Sequence, residues 1–204
     1  MPTIQLTVDK TQLDGAKLML GEIRGIMGKV QSRAVNKSLT TVRAAAVDLL
    51  YAELNLRKTD IRNSFAIYKA SYTAPSGSVV SSSRPVPLAK FVGTRQLARG
   101  RGVSVQIKRT GSREVLRHAF MGTMKSGHVG VFERESYTKR PYREFFPYAK
   151  LPERFRLPIE EMFSLRITDE YGKEAILGQV MQRAGEVYQS NFEHELDYEL
   201  SRLK

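Results

Sequence analysis

Residues 84–143 restrict this chain more than any other stretch, because they alternate where a helix would not and are punctuated where a long strand would not survive. Val103, Val105 and Ile107 alternate with Ser104, Gln106 and Lys108, the period-two pattern of a half-buried strand. Thr110-Gly111-Ser112 is turn chemistry, and residues 113–117 read as the return strand. Residues 119–123 and 128–134 form a second pair, joined through Lys125-Ser126-Gly127. Pro85 and Pro87 forbid a regular helix and allow at best an edge strand, since neither can donate to a ladder. This sheet-like middle is also where the charge sits. It holds fourteen Lys and Arg against three acids (Glu114, Glu133 and Glu135), a net +11 of the whole chain's +12.

The flanks have a different period. Ile4, Leu6 and Val8 predict a short first strand. Thr11 then suits a helix N-cap, and Leu13, Ala16, Leu20, Ile23 and Met27 follow at helical spacing, with Gly25 and Gly28 weakening that helix at its end. A second helix is expected over about 30–54, with Val35, Leu39, Val42, Ala46, Leu49 and Leu50 inside and Arg33, Lys37, Thr40 and Arg43 outside. Matching faces so close in sequence favour an antiparallel pair. Thr59-Asp60-Ile61-Arg62 predicts one further helical turn. Residues 65–72 read as a strand and 78–83 as its partner, placed at an edge because Val79 and Val80 are its only apolar residues. Residues 94–102 have no periodicity and read as a mobile basic loop.

Past Pro141, Phe145, Phe146, Tyr148 and Phe155 cluster among prolines, and residues 157–163 suit a short helix with proline in its first turn. From about residue 171 the chain reads as one long helix with the stripe Leu177, Val180, Ala184, Tyr188, Phe192 and Leu196. At about 1.5 Å per residue it would run roughly 50 Å, more than one small domain buries. Phe192 and Leu196 are therefore the candidate contact with another copy. The expected fold class is α+β: an N-terminal helical pair, a central antiparallel β-sheet and a long C-terminal helix. The chain is read as a single domain over 1–204, with a helical front (1–64), a basic β region (65–143) and an acidic helical part (144–204).

Chemistry is sparse. The sequence has no G-x-S-x-G elbow, Walker-type loop, H-E-x-x-H or G-x-G-x-x-G. There is no cysteine, hence no disulfide or thiolate metal site. His118 and His128 fall on neighbouring predicted strands without a carboxylate set, and Glu193-His194-Glu195 with Asp197 reads as a solvated helix face. We expect no enzyme, no cofactor and no metal. The N-terminus lacks a basic-then-apolar signal pattern, and no apolar run reaches eighteen residues, so no membrane partner is expected. A pI near 10.0 points instead to a polyanion or an acidic protein surface. Arg95, Arg99, Arg101, Lys108 and Arg109 lie within fifteen residues with no acid among them. They are the candidate residues facing DNA or a partner, because like charges held this close repel unless an anion screens them.

Residues 119–134 (A-F-M-G-T-M-K-S-G-H-V-G-V-F-E-R), followed by Arg140-Pro141, resemble the prophage minor tail protein Z family. The earlier Pro85-Val86-Pro87-Leu88 and the Ala-, Val- and Arg-rich front half ending in Leu54-Asn55-Leu56-Arg57-Lys58-Thr59-Asp60-Ile61 are similar to it as well. The resemblance spans most of the chain from about residue 30, and 119–134 is its specific part. It implies a virion structural protein of a tailed bacteriophage or prophage, located at the head-proximal end of the tail and in the host cytoplasm during assembly. It further implies action in tail completion or head–tail joining, assembly as a homo-oligomeric ring such as a hexamer, and other tail or neck proteins as partners. DNA in the tail channel is a further candidate partner. The competing reading is a non-enzymatic cytoplasmic DNA-binding protein using the basic middle.

Overall fold

The computed structural model describes residues 3–6, 24–134 and 158–202. In chain order these form β1 (Thr3–Leu6), α1 (Arg24–Glu53), α2 (Lys58–Asn63), β2 (Phe65–Tyr68), β3 (Gly77–Ser81), β4 (Pro85–Pro87), β5 (Arg95–Gln96), β6 (Val103–Val105), β7 (Glu114–Leu116), β8 (Phe120–Thr123), β9 (Val129–Arg134), β10 (Ile159–Glu161), β11 (Phe163–Arg166), α3 (Ile167–Tyr171) and α4 (Glu174–Ser201). The fold is α+β, with an N-terminal helix, central antiparallel strands and a long C-terminal helix. No described helix is long and apolar enough to cross a membrane.

The chain divides into two compact units. The first takes the described residues of Met1–Leu50, Ile61–Ser83 and Ile167–Lys204; the second takes Tyr51–Asp60 and those of Arg84–Arg166. They interleave the expected segments, because 65–83 goes with the helices and 159–166 with the basic strands.

In the first unit, α1 buries Val35, Leu39, Val42, Ala46 and Leu50 of the stripe its spacing predicts, with Val30 and Ala34 in addition, while Leu49 is half-buried. The helix starts earlier than expected: Met27 and Gly28 belong to it rather than to a preceding helix. The rest of that preceding helix, residues 11–23, lies outside the described residues. Gly28 is explained by closeness, because a Cβ there would meet the Tyr72 ring at 2.9 Å and the Tyr72 carbonyl oxygen at 3.0 Å. The partner of α1 among the described residues is α4. Arg33 pairs with Glu199, Lys37 with Glu195, and Asn191 Nδ2 donates to Ser38 Oγ at 3.0 Å, so the two helices run antiparallel.

The sheet of this unit has the order β1-β3-β2. The expected edge strand β3 is therefore its centre, bonded to β1 through Thr3–Val80 and to β2 through Phe65–Ser81. Its small residues allow this position. Val79 is fully buried, and a Cβ on Gly77 would fall 2.6 Å from Leu39 Cδ1, so the glycine is what lets the strand lie against α1. The strand expected over 65–72 ends at Tyr68. Asn36 then holds the chain that leaves it, accepting from the Ala70 amide at 2.8 Å and donating to the Ala70 carbonyl at 3.0 Å.

The second unit holds three small antiparallel sheets, β5-β6-β7, β10-β9-β8 and β11-β4. β4 bonds to β11 alone, as its two prolines require. The short helix expected over 157–163 is corrected. Its described residues form β10 and the start of β11, because β9 and β4 present edges that Ile159–Glu161 and Phe163–Arg166 complete. Ladder pairing with distant strands outweighs the local preference for a proline-led turn. The last helix is broken once, at Gly172 and Lys173, so α3 and α4 are separate. α4 has 28 residues and spans about 42 Å. Ile176, Val180 and Ala184 are buried, while Phe192 and Leu196 are half-buried within one chain.

Candidate polyanion-binding surface

The basic middle folds into β5-β6-β7, and its details sort the positive residues by what they touch. The segment expected to be a loop without regular structure, 94–102, takes part in a hydrogen-bonded hairpin. Arg95 pairs across with Ser104 and Gln96 with Val103. The Leu97 amide donates to the Gly102 carbonyl at 2.9 Å, which closes the loop, and residues 98–100 make one 3-10 turn. Gln96 locks this closure from both ends of its side-chain amide. Its Nε2 donates to Gly102 O at 2.9 Å, and its Oε1 accepts from the Met121 amide at 2.8 Å. Gly102 is required twice over. Its φ is +97°, and a Cβ would stand 2.1 Å from Leu116 O and 2.7 Å from Arg117 Cα. The hairpin base is thus pressed against the end of β7, which sets Arg101 and Arg117 beside each other in the fold.

Arg109, expected to face DNA or a partner, is exposed but bonded to the chain itself. Its Nε donates to Tyr51 O at 2.6 Å and to Leu54 O at 3.1 Å, and its guanidinium lies 3.9 Å from the Tyr51 ring centroid. The Arg109 amide also donates to Glu53 O at 2.9 Å. These carbonyls belong to the last turn of α1 and the residues just after it, where helices leave acceptors without internal partners and the macrodipole favours a cation. Arg109 is a helix cap. Arg113 is similarly engaged, donating to Gly93 O at 2.8 Å and to the buried Ser104 Oγ at 3.3 Å.

Arg95, Arg101 and Lys108 are exposed, and none has a carboxylate or carbonyl partner among the described residues. Arg117 has the same standing and was not singled out by spacing, since its placement depends on the close approach of Gly102. The Arg99 backbone lies in the 3-10 turn at the hairpin tip. The one acid in 95–117 is Glu114. Asn55 organises the other side of the sheet, with Nδ2 donating to Val92 O at 2.8 Å and Gln106 O at 3.0 Å.

In the first unit two acids of α4 are engaged rather than solvated. Glu195, expected on a solvated face, is buried together with Glu199, against Arg33 and Lys37. The signal was in the spacing: Val180, Ala184, Glu195 and Glu199 continue one stripe of α4, with acids taking apolar positions. An open groove of about 530 Å³ runs beside these pairs, lined by Arg33, Asn36, Lys37, His194, Glu195 and Tyr198. Its polar groups are committed to the helix–helix clasp and to Ala70. Burial pushes the Tyr188 hydroxyl up to about 12 and raises that of Tyr171 further. His128 Nε2 lies 2.8 Å from Glu161 Oε1. No group of three or more His, Asp or Glu among the described residues is placed to hold a metal ion.

No family profile, curated protein or solved structure matches the chain in comparison searches.

Proposed function

We propose that this chain is a structural subunit of a bacteriophage or prophage tail, acting at the head-proximal end in tail completion or head–tail joining. The resemblance of residues 119–134 to the minor tail protein Z family supports the reading, and these residues make up β8, its turn and β9. The observation from the molecule itself that carries it is the set of exposed cations on β5-β6-β7 without acid partners among the described residues. Such a surface is suited to a polyanion, whether DNA in the channel or an acidic neighbouring ring. The half-buried Phe192 and Leu196 on α4 supply apolar area for a contact between copies. A head-to-tail contact that closes gives a ring, and sixfold order comes from the resemblance alone.

Immunogold labelling of tailed particles from the source strain, with antibody to this chain, tests the assignment. Label at the head–tail junction is the expected result. Label confined to the distal tip or shaft overturns it. A single copy per particle removes the ring. The second reading, a non-enzymatic DNA-binding protein, rests on the same cations; it takes over when the protein is recovered with cellular DNA and is missing from particles.

A further inference from the structure

We infer that the β5–β6 hairpin and the sheet behind it form a preorganised site for the phosphate backbone of duplex DNA, read without sequence preference. That the duplex is DNA rests on the proposed position at the tail end; the site itself rests on geometry. Three observations carry it.

The first is the sorting of charge. Arg109 and Arg113, although exposed, donate to carbonyls within the fold, whereas Arg95, Arg101, Lys108 and Arg117 are exposed with no carboxylate or carbonyl partner among the described residues. Arg95 lies on β5 opposite Ser104, Arg101 beside Gly102 at the hairpin end, Arg117 just after β7 and Lys108 three residues past the end of β6. Gly102 and Lys108 are six positions apart, or roughly 20 Å if the chain were fully extended. Such a length of duplex carries about a dozen phosphate charges.

The second is rigidity. A merely solvated basic loop needs no fixed shape, yet this one is closed by the Leu97–Gly102 backbone bond and locked by Gln96 at two points. Gly102 occupies a backbone region and a space that no other residue fits. Fixing the guanidinium-bearing backbone in advance lowers the ordering cost of binding.

The third is what this sheet lacks. Protein interfaces concentrate their energy in aromatic and large apolar anchors. On β5-β6-β7 the exposed large apolar residue is Val115, and the exposed residues of these strands and their connections include the polar Gln96, Thr110 and Ser112 and one acid, Glu114. A polar, strongly positive surface is the character of a protein–DNA contact. No helix is offered by this sheet to a major groove, so phosphate contacts position the duplex and bases are not read.

The test is fluorescence anisotropy with the full-length protein and two 30-bp duplexes of unrelated sequence, from 50 to 300 mM KCl. Four phosphate contacts give a log–log salt slope of about −3.6, equal for the two duplexes. Replacing Arg95, Arg101 and Arg117 by Ser takes the slope to about −0.9 and weakens binding at 100 mM by roughly several hundred-fold. A matched variant, Lys29→Ser with Arg62→Ser and Lys69→Ser, removes the same charge from exposed positions of the first unit and leaves the slope unchanged. Gln96→Ala keeps every charge and loosens the hairpin; it lowers affinity about tenfold with the circular dichroism spectrum unaltered. Gly102→Ala is the stronger version of the same change. Equal loss from the matched variant, an unchanged slope in the hairpin variant, or binding of poly-glutamate but not of DNA overturns the inference, the last in favour of an acidic protein partner. Gold labelling at the head–tail junction is independent of all these outcomes, so the tail assignment survives if DNA binding fails.

Discussion

Replacing Arg109 by Ala separates a cation bonded within the fold from the unpartnered ones near it in sequence. The guanidinium makes two short hydrogen bonds, to Tyr51 O at 2.6 Å and Leu54 O at 3.1 Å, and stacks 3.9 Å from the Tyr51 centroid. A charge at a helix C-terminus contributes about 0.3–1 kcal/mol, and a cation–π contact at an exposed site about 0.5–1 kcal/mol. The hydrogen bonds add about 1 kcal/mol or more, because Leu54 is fully buried and its carbonyl loses a donor. The expected cost is about 2–3 kcal/mol. For a chain of this size that lowers Tm by roughly 4–10 °C. Urea denaturation followed by far-UV circular dichroism measures the free energy. Arg109→Lys recovers less than half, because an ammonium reaches one carbonyl and does not stack as a planar group. A double-mutant cycle with Tyr51→Leu gives a coupling of about 0.5–1 kcal/mol. If Arg109→Ala unfolds within about 0.5 kcal/mol of the parent protein, a typical surface effect, the cap assignment is wrong and Arg109 joins the cations free to meet an anion. The DNA salt slope is expected to be the same in Arg109→Ala as in the parent.

Two further outcomes follow from the first unit. Arg33→Met with Lys37→Met leaves Glu195 and Glu199 buried without their partners on α1, and is expected to cost about 2–3 kcal/mol in urea denaturation, below the usual range for a fully buried pair because both cations are half-exposed. Glu195→Gln with Glu199→Gln in that background restores most of the loss, since no buried charge remains. Tyr171 carries a buried hydroxyl with no hydrogen-bond partner among the described residues, so Tyr171→Phe raises stability by about 1 kcal/mol. Its hydroxyl and that of Tyr188 both hold their protons more tightly folded than unfolded. Their contribution is complete below about pH 10 and is lost as pH rises from there towards 12 and beyond. A melting series from pH 9 to 12 reads this, and Tyr188→Phe flattens it in part.

Periodicity alone determined much of this protein. The stripe from Val35 to Leu50 is buried as its spacing requires except at Leu49, which is half-buried, because a helix repeats its faces whatever it packs on. The turn at Thr110-Gly111-Ser112, the β8–β9 hairpin and the single-sided pairing of Pro85–Pro87 were likewise legible, since glycine and proline act locally. The strand at Val103 was legible too, but it stops at Val105 rather than Lys108, and Ser104, expected on the open face, is buried as well. What tertiary structure decided were choices between neighbours far apart in sequence. β3 is central because β1 and β2 pair on either side of it, a fact its own five residues do not contain. Residues 159–166 are strands because β9 and β4 offered edges, against a local preference for a helical turn. Glu195 and Glu199 are buried because Arg33 and Lys37 stand opposite them on a helix more than 150 residues earlier in the chain. Charge shows the division most clearly. Sequence placed Arg95, Arg99, Arg101, Lys108 and Arg109 in one basic cluster, since composition counts charges without their partners. Only the fold could separate Arg109, exposed but bonded to carbonyls more than fifty residues away, from Arg95, Arg101 and Lys108, which have no such partner among the described residues.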